Sequence, residues 1–400
     1  MPKNKRPTPR KSANSAENKQ DAAIQTLCDL AIELVEQEDS ESFFEVMEQK
    51  ENDLTKLIRK QLNQKNDDVL YEAIDRAKYA DIDAYQLLKE RIEEASEVML
   101  FKREEGSTVE VNAFVIPMFV RTSGGLDRGQ CFQDQQAFEL LTKSFQEAEL
   151  ESQDATVVLV NHAYHLDEID GITYSHLSEM IRDAFASMTN KKVAATPAIA
   201  RSLSGWPDSD FAAEDLAVEV RFLLGFTLKS TEDAFYAVPN DDVDAFFDAR
   251  AERFQHWAEQ NAPLMARCLG TDGREIDIHF LYQDLFHGGK ERGIAEQFML
   301  QMMSDLNQGL LQHGIAAEQT KAVIAPAEMR DEPVLRVNLY AEADGALVAS
   351  FDKPINYVGD LEVEIDDAYD ALMTMGVKSL SIAAEFDADG HPVDVQPYEI

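Results

Sequence analysis

The sequence predicts an α/β to α+β chain: βαβ units with a C-terminal ferredoxin-like (split βαβ) sandwich, preceded by a small helical domain. Three observations lead there. Residues 109–170 run through an apolar stretch, a Gly-Gly pair, an amphipathic helix and a second apolar stretch. Residues 275–325 follow the same order. Residues 20–103 carry only the 3.6-residue period of helices with one apolar stripe. At 400 residues the chain exceeds what one hydrophobic core usually organises. The expected divisions are a disordered basic tail at 1–19, a helical domain at 20–105, an α/β domain at 106–270 and an α+β ferredoxin-like domain at 271–400.

The tail holds Lys3, Lys5, Arg6, Arg10, Lys11 and Lys19 against Glu17, with three prolines and no large apolar residue after Met1. Nothing in it offsets the entropy of ordering. In the helical domain Ile24, Leu27, Cys28, Ala31, Leu34 and Val35 form one stripe, and Ser42 with Glu45 reads as a capping box. Leu54, Leu57, Ile58 and Leu62 give a second stripe, Val69, Ala73, Ile74 and Ala77 a third, and Leu88, Ile92, Ala95 and Met99 a fourth. Such helical hairpins serve as a cap on a neighbouring core or as a protein-binding platform.

Residues 109–120 are apolar at both alternating sets of positions, the pattern of a strand buried on both sides. Pro117 predicts a bend or an edge there, because proline gives no ladder donor. Phe138, Leu141, Phe145 and Leu150 mark a helix, and residues 157–160 the next strand. Leu177, Ile181, Ala184 and Phe185 mark another helix, and residues 198–207 read as irregular. Residues 217–228 alternate, with Glu219 and Arg221 on what reads as a wet face. A long helix follows at 241–268, ended by Gly270 and Asp272-Gly273.

The last segment opens with a strand through Ile276, Ile278, Phe280 and Tyr282, ended by His287-Gly288-Gly289. Ile294, Phe298, Met302, Leu306 and Leu310 form a helix closed by Gly314. A short strand at 322–325 and a hairpin around Ala343-Asp344-Gly345 come next, then a helix stopped by Gly376 and a strand at 380–386. Asp387, Asp389 and Gly390 form a hairpin turn, without the twelfth-position glutamate of a calcium loop.

Composition bounds the function classes. Lys and Arg total 37 against 75 Asp and Glu, a net charge of −38. A surface that acidic repels nucleic acid and anionic lipid, so nucleic acid is expected only weakly, through the tail. No run has the ~20 apolar residues of a membrane span. The three cysteines, Cys28, Cys131 and Cys268, lie far apart without zinc or disulfide spacing, which fits reduced thiols in a cytoplasm.

The candidate sites are few. Gly-Gly between a strand and a helix is where backbone N–H groups cradle an anion. That nominates Ser123, Gly124 and Gly125, and also His287, Gly288, Gly289, Lys290 and Arg292, a positive cluster in an acidic chain. Neither fits the P-loop or dinucleotide fingerprint. His162, His165 and Glu168 are metal candidates only if a loop folds them together, since in an extended strand the two histidines face opposite ways. Cys131, just before a helix start, is a weak nucleophile candidate. No cofactor motif is present, and no catalytic constellation is legible.

The stretches VNAFVIPMFV, AVEVRFLLGF and IHFLYQDLFHGG resemble an uncharacterised bacterial family described as a domain of unknown function. The resemblance implies a bacterial, cytoplasmic protein and no particular site residues. The expected function is a non-catalytic binding or regulatory protein with a protein partner or a small anionic ligand. The alternative is an enzyme or sensor acting on a phosphorylated or other anionic metabolite.

Overall fold

A computed structural model describes residues 13–36, 44–103, 106–122, 126, 132–189, 217–239, 242–270, 276–330, 332–355, 361–387 and 389–398. Most of the expected basic tail, the capping serine Ser42, the glycine pair Gly124-Gly125, Cys131 and the irregular stretch 198–207 lie outside the described residues. The architecture is mixed α/β, in two compact units, Met1–Gly293 and Ile294–Ile400.

The first unit begins with four helices: α1 (Ala13–Val35), α2 (Phe44–Gln64), α3 (Asp67–Ala80) and α4 (Ile82–Glu97). Their stripes meet in one apolar cluster that includes Leu27, Ala31, Leu54, Ile58, Leu70, Leu88 and Ile92, all buried. Asp81 starts α4 by accepting the Ala84 N–H at 2.8 Å. The fourth helix stops at Glu97 and not at Met99, because the chain turns there into β1 (Val98–Lys102).

β1 runs antiparallel to β2 (Thr108–Thr122), the longest strand of the unit. After β2 come α5 (Gln135–Glu147), β3 (Thr156–His165), α6 (Leu166–Asp170) and α7 (Tyr174–Thr189). Then follow β4 (Ala217–Ser230), α8 (Val243–Leu269), β5 (Ile276–Phe280), β6 (Asp284–Leu285) and α9 (Phe286–His313). The boundary between the units falls inside α9.

β2 pairs with β4 over its whole length, and β4 pairs with β3, all antiparallel. β5 takes the other edge of β2 at residues 118–122, β6 at 114–115 and β1 at 108–112. The strands joined by α5 are therefore parallel but not neighbours, with β4 between them. Pro117 sits in mid-strand and not at an edge. It falls between the β5 and β6 pairings, where only its carbonyl is used, by the Leu281 N–H at 2.8 Å.

Helices α5 and α8 cover one sheet face. Phe114, Ile116, Met118 and Leu223 pack there against Leu141, Phe145, Phe254 and Trp257. The supposed wet face of β4 is this covered face, and Arg221 on it is fully buried. Its guanidinium is held by Glu219 at 3.0 Å, the Leu126 carbonyl at 3.1 Å and the Ala163 carbonyl at 3.3 Å.

The strand at 276–280, expected to open the last domain, pairs with β2 in the first unit. The second unit accordingly has another order. After the remainder of α9 come β7 (Thr320–Met329), β8 (Glu332–Ala341), β9 (Leu347–Pro354), α10 (Leu361–Met375) and β10 (Ser379–Ile382). β7, β8 and β9 form an antiparallel meander, and α10 returns the chain so that β10 lies parallel to β7. Met302, Leu306 and Leu310 of α9 and Ala368 and Leu372 of α10 bury one sheet face. The chain ends with β11 (Glu385–Phe386), β12 (Pro392–Val393) and β13 (Gln396–Pro397), the last pairing with β10. Among the described residues no helix is long and apolar enough to cross a membrane.

Candidate functional site

Ser123, Gly124 and Gly125 lie outside the described residues. The other expected anion cradle is a helix and not an open turn. His287, Gly288, Gly289 and Lys290 form the first turn of α9, pressed onto β2. A Cβ at Gly289 would stand 2.5 Å from Val115 Cγ2 and 3.0 Å from its carbonyl oxygen, and one at Gly288 would stand 2.5 Å from Asp284 Oδ2. Close packing onto the β2 backbone is what requires Gly289, whereas at Gly288 the neighbour is the end of a side chain that can move. The helix N-terminus already holds an acid: Glu97 Oε2 accepts the His287 N–H at 2.9 Å. Lys290 is paired with Asp170 at 2.8 Å, while Arg292 is exposed and lines a separate cleft with His279. The positive cluster read from the sequence does not converge.

Glu97 belongs to a buried junction between α4 and α9. Ser96 Oγ lies 3.0 Å from His287 Nε2, and His287 Nδ1 lies 3.9 Å from Glu93. The serine–histidine–glutamate order resembles an acyl-transfer triad, but Ser96 is fully buried and gives its only proton to the Glu93 carbonyl at 2.8 Å. His287 Nε2 must therefore be the donor to Ser96 Oγ. Burial, then the Lys290 and Lys89 charges, push His287 down to about 3, so it is neutral. Burial, with Glu93 and Asp284 nearby, pushes Glu97 up to about 8, and burial pushes Glu93 to about 7. At about pH 5 the Glu97 and Glu93 carboxyls and the His287 ring are therefore mostly uncharged, with Lys89 as the cation beside them.

The metal candidates separate. β3 extends through them, with an irregular register between Leu159 and Ala163, and His165 caps α6. His162 and Glu168 meet at 3.0 Å, both buried, and Glu168 also accepts the His165 N–H at 2.7 Å. The His165 ring faces the Asp167 N–H instead. Burial alone would raise the Glu168 carboxyl, but the hydrogen bonds from His162 and the His165 N–H outweigh it and hold it below the ordinary range. One acid–histidine contact inside a capping box is a structural lock. The group that does bring three potential ligands together among the described residues is Asp387, Asp389 and His391, all exposed in the turn between β11 and β12. There Asp387 already accepts the backbone N–H groups of Asp389 and His391.

A different place gathers polar groups around an opening. A cleft of about 440 Å³ lies where the start of α8 and the segment 282–285 meet the far end of β2 and β4. Its walls include Phe114, Phe246, Phe247 and Tyr282, and its polar groups are Asn112, Glu151, Lys229, Tyr236, Arg250, Gln283 and Asp284. Asn112 is 6% exposed, and its Oδ1 has no hydrogen-bond partner within the protein. Thr227, directly opposite it on β4, is 1% exposed, and its Oγ1 is likewise unpaired. Lys229 is held by Glu110 at 3.0 Å and lies 4.3 Å over the Tyr236 ring. Glu151 accepts the Tyr236 hydroxyl at 2.7 Å and stands 3.9 Å from Arg250. Burial and the Glu151 charge push the Tyr236 phenol well above its ordinary range, so it remains a donor.

The family described as "Protein of unknown function (DUF2863)" matches residues 12–291, well over half of the chain. The chain belongs to this family. The resemblance carried by the three sequence stretches therefore holds, and all three fall inside the match. No curated protein and no solved structure matches the chain. The DUF2863 match covers the helical layer, the first sheet and every residue of the cleft, and it stops inside α9, just before the second unit begins.

The cleft residues were missed from the sequence because they are scattered over residues 112–285. One signal was available. Asn112 is the sole uncharged polar residue in the otherwise apolar run from Val111 to Val120.

Proposed function

We propose that this DUF2863 chain is a non-catalytic binding protein with a regulatory role, and that it takes a small molecule into the cleft at Asn112. The observation that carries the reading is the unpaired, almost fully buried Asn112 Oδ1 at a cleft lined by aromatic rings and a few charged groups. Binding sites have this composition, mostly apolar with a small number of placed polar groups. The volume of about 440 Å³ suits a small metabolite. An enzyme of a phosphorylated metabolite held at residues 287–290 has less support, because Glu97 already occupies that helix end.

Two finer readings accompany it. The first sheet runs β5-β2-β4-β3, with α5 and α8 on one face. That order supports assigning the split βαβ, ferredoxin-like plan to the first unit rather than to 271–400. A cytoplasmic setting is supported by Cys28 and Cys268, both free and buried.

The test is a thermal-shift screen of the full chain against amino acids, nucleotides, sugar phosphates and acyl-CoAs, followed by calorimetry. A true ligand at a hundred times its Kd adds about 2.7 kcal/mol of apparent stability. The shift is expected to disappear in Arg250→Ala. A flat response across every class, or a ligand that binds Arg250→Ala as well as the wild type, overturns the reading.

A further inference from the structure

We infer that the occupant of the Asn112 cleft is a zwitterion, an α-amino acid with an apolar or aromatic side chain. This rests on the binding reading above and narrows it. The argument starts from what the site lacks. Asn112 Oδ1 is an acceptor without a donor, and Thr227 Oγ1 beside it is unpaired as well. A carboxylate or phosphate oxygen brings only lone pairs and leaves Asn112 Oδ1 as it was. An ammonium brings three donors, one of which Asn112 Oδ1 can accept.

The opposite pole is provided by Arg250. Among the described residues its ion-pair partner is Glu151 at 3.9 Å, a long contact that leaves the guanidinium fork available. That fork matches a carboxylate with two parallel hydrogen bonds. Lys229, already engaged by Glu110 and Tyr236, adds positive potential on the same side without needing to move.

Charge balance decides against the polyanions. The charges of the lining residues Lys229, Arg250, Glu151 and Asp284 sum to zero, and Glu110, paired with Lys229 from outside the lining, adds a further negative charge. A nucleotide or sugar phosphate would add about two negative charges next to two carboxylates, a repulsive arrangement in a partly desolvated site. A zwitterion adds none. The remaining surface is apolar: Phe114 and Tyr282 form walls, and Phe247 and Val238 at the rim are 50% and 42% exposed. A ligand side chain covering them would bury apolar area that the free protein leaves in water.

The experiment is isothermal calorimetry on the full chain with L-leucine, L-methionine and L-phenylalanine. Matched fragments accompany them: phenethylamine without the carboxylate, 3-phenylpropionate without the ammonium, and AMP as the anionic comparison. Saturable binding by at least one of the amino acids, at least tenfold weaker binding by each fragment, and at least a tenfold loss in Arg250→Ala support the inference. Because Asn112 is buried, Asn112→Leu is paired with Arg250→Ala, whose site is partly open to solvent and tolerates truncation. Fragments binding as tightly as the whole amino acid overturn it. So does AMP binding in place of the amino acids, which leaves the binding protein standing and removes only the zwitterion. No binding by any amino acid overturns the inference, and the wider screen above then decides whether the cleft binds anything.

Discussion

Replacing Glu97 by Gln is expected to flatten the pH dependence of the first unit's stability. Glu97 sits under the first turn of α9, accepts the His287 N–H, and is pushed from 4.5 to about 8 by burial and by the neighbouring acids. Below pH 4.5 the carboxyl is protonated in both the folded and unfolded chain. Between there and about 8 only the folded chain keeps the proton, so stability falls as pH rises and levels off above the folded value. At about 1.4 kcal/mol per pH unit, the interval amounts to a loss of about 5 kcal/mol. Glu93, raised to about 7, acts in the same direction. His287 acts in the opposite one: held down to about 3, it stays neutral when folded, and its contribution is lost as pH falls below 6.5. The two acids and the one base place the junction's optimum on the acid side of neutrality. Gln keeps the acceptor for the His287 N–H and cannot ionise. Urea unfolding at pH 5.5, 7 and 8.5, followed by fluorescence, reads the effect, since Trp257 is buried in the core of the first unit. The wild type should lose several kcal/mol over this range and Glu97→Gln clearly less. Parallel slopes for the two proteins would refute the reasoning.

Gly289→Ala should destabilise by about 1–3 kcal/mol, because its methyl meets Val115 Cγ2 at 2.5 Å and a backbone oxygen that has little room to move. An unchanged urea midpoint would mean that α9 does not lie against β2 as described. Arg221→Met removes a guanidinium held by Glu219 and two carbonyls, and leaves those acceptors buried; a loss of about 3–5 kcal/mol is expected. A change below about 1 kcal/mol in chemical denaturation would contradict that account. Glu168→Gln should remove part of the acid-side instability: a carboxyl held below its ordinary value stabilises above the unfolded pKa, and this is lost as pH falls through the folded one. Identical acid-unfolding curves for variant and wild type would count against the His162–Glu168 lock.

The sequence made the elements legible wherever apolar spacing alone decides them. The stripes through Leu27, Leu54, Val69 and Leu88 are the buried faces of α1 to α4, and Gly270, Gly314 and Gly376 end their helices with positive φ. Pairing was less legible. Ile276, Ile278 and Phe280 alternate as a strand, but nothing local says that the partner is β2, more than 150 residues earlier, and not a strand further on. Glycine was ambiguous in the same way. Gly288-Gly289 before a helix fits an anion cradle or close helix packing equally well, and only the position of Val115 separates the two. Arg221 beside Glu219 looked solvated, because alternation reports which residues share a face and not whether a helix layer covers it.

Arg221 and Asn112 lie on the same covered face of the first sheet, and both break its apolar pattern. They differ in what they find there. Arg221 is bonded to Glu219, Leu126 and Ala163, so the protein itself explains it. Asn112 Oδ1 has no such partner, and an unpaired buried polar atom costs about 1–3 kcal/mol that an apolar residue of similar size would avoid. A position that sacrifices stability in the free protein is the kind that function retains. The two explanations of Asn112 predict opposite signs. If the amide serves a ligand, Asn112→Leu should leave the free chain equally or more stable and abolish binding of the amino acid. If it serves the fold, the same substitution should cost about 1–3 kcal/mol, as other broken buried contacts do. Urea unfolding of the free variant, set beside its calorimetric titration, measures both quantities on one preparation. A destabilised Asn112→Leu chain that still bound its ligand would end the case for this cleft.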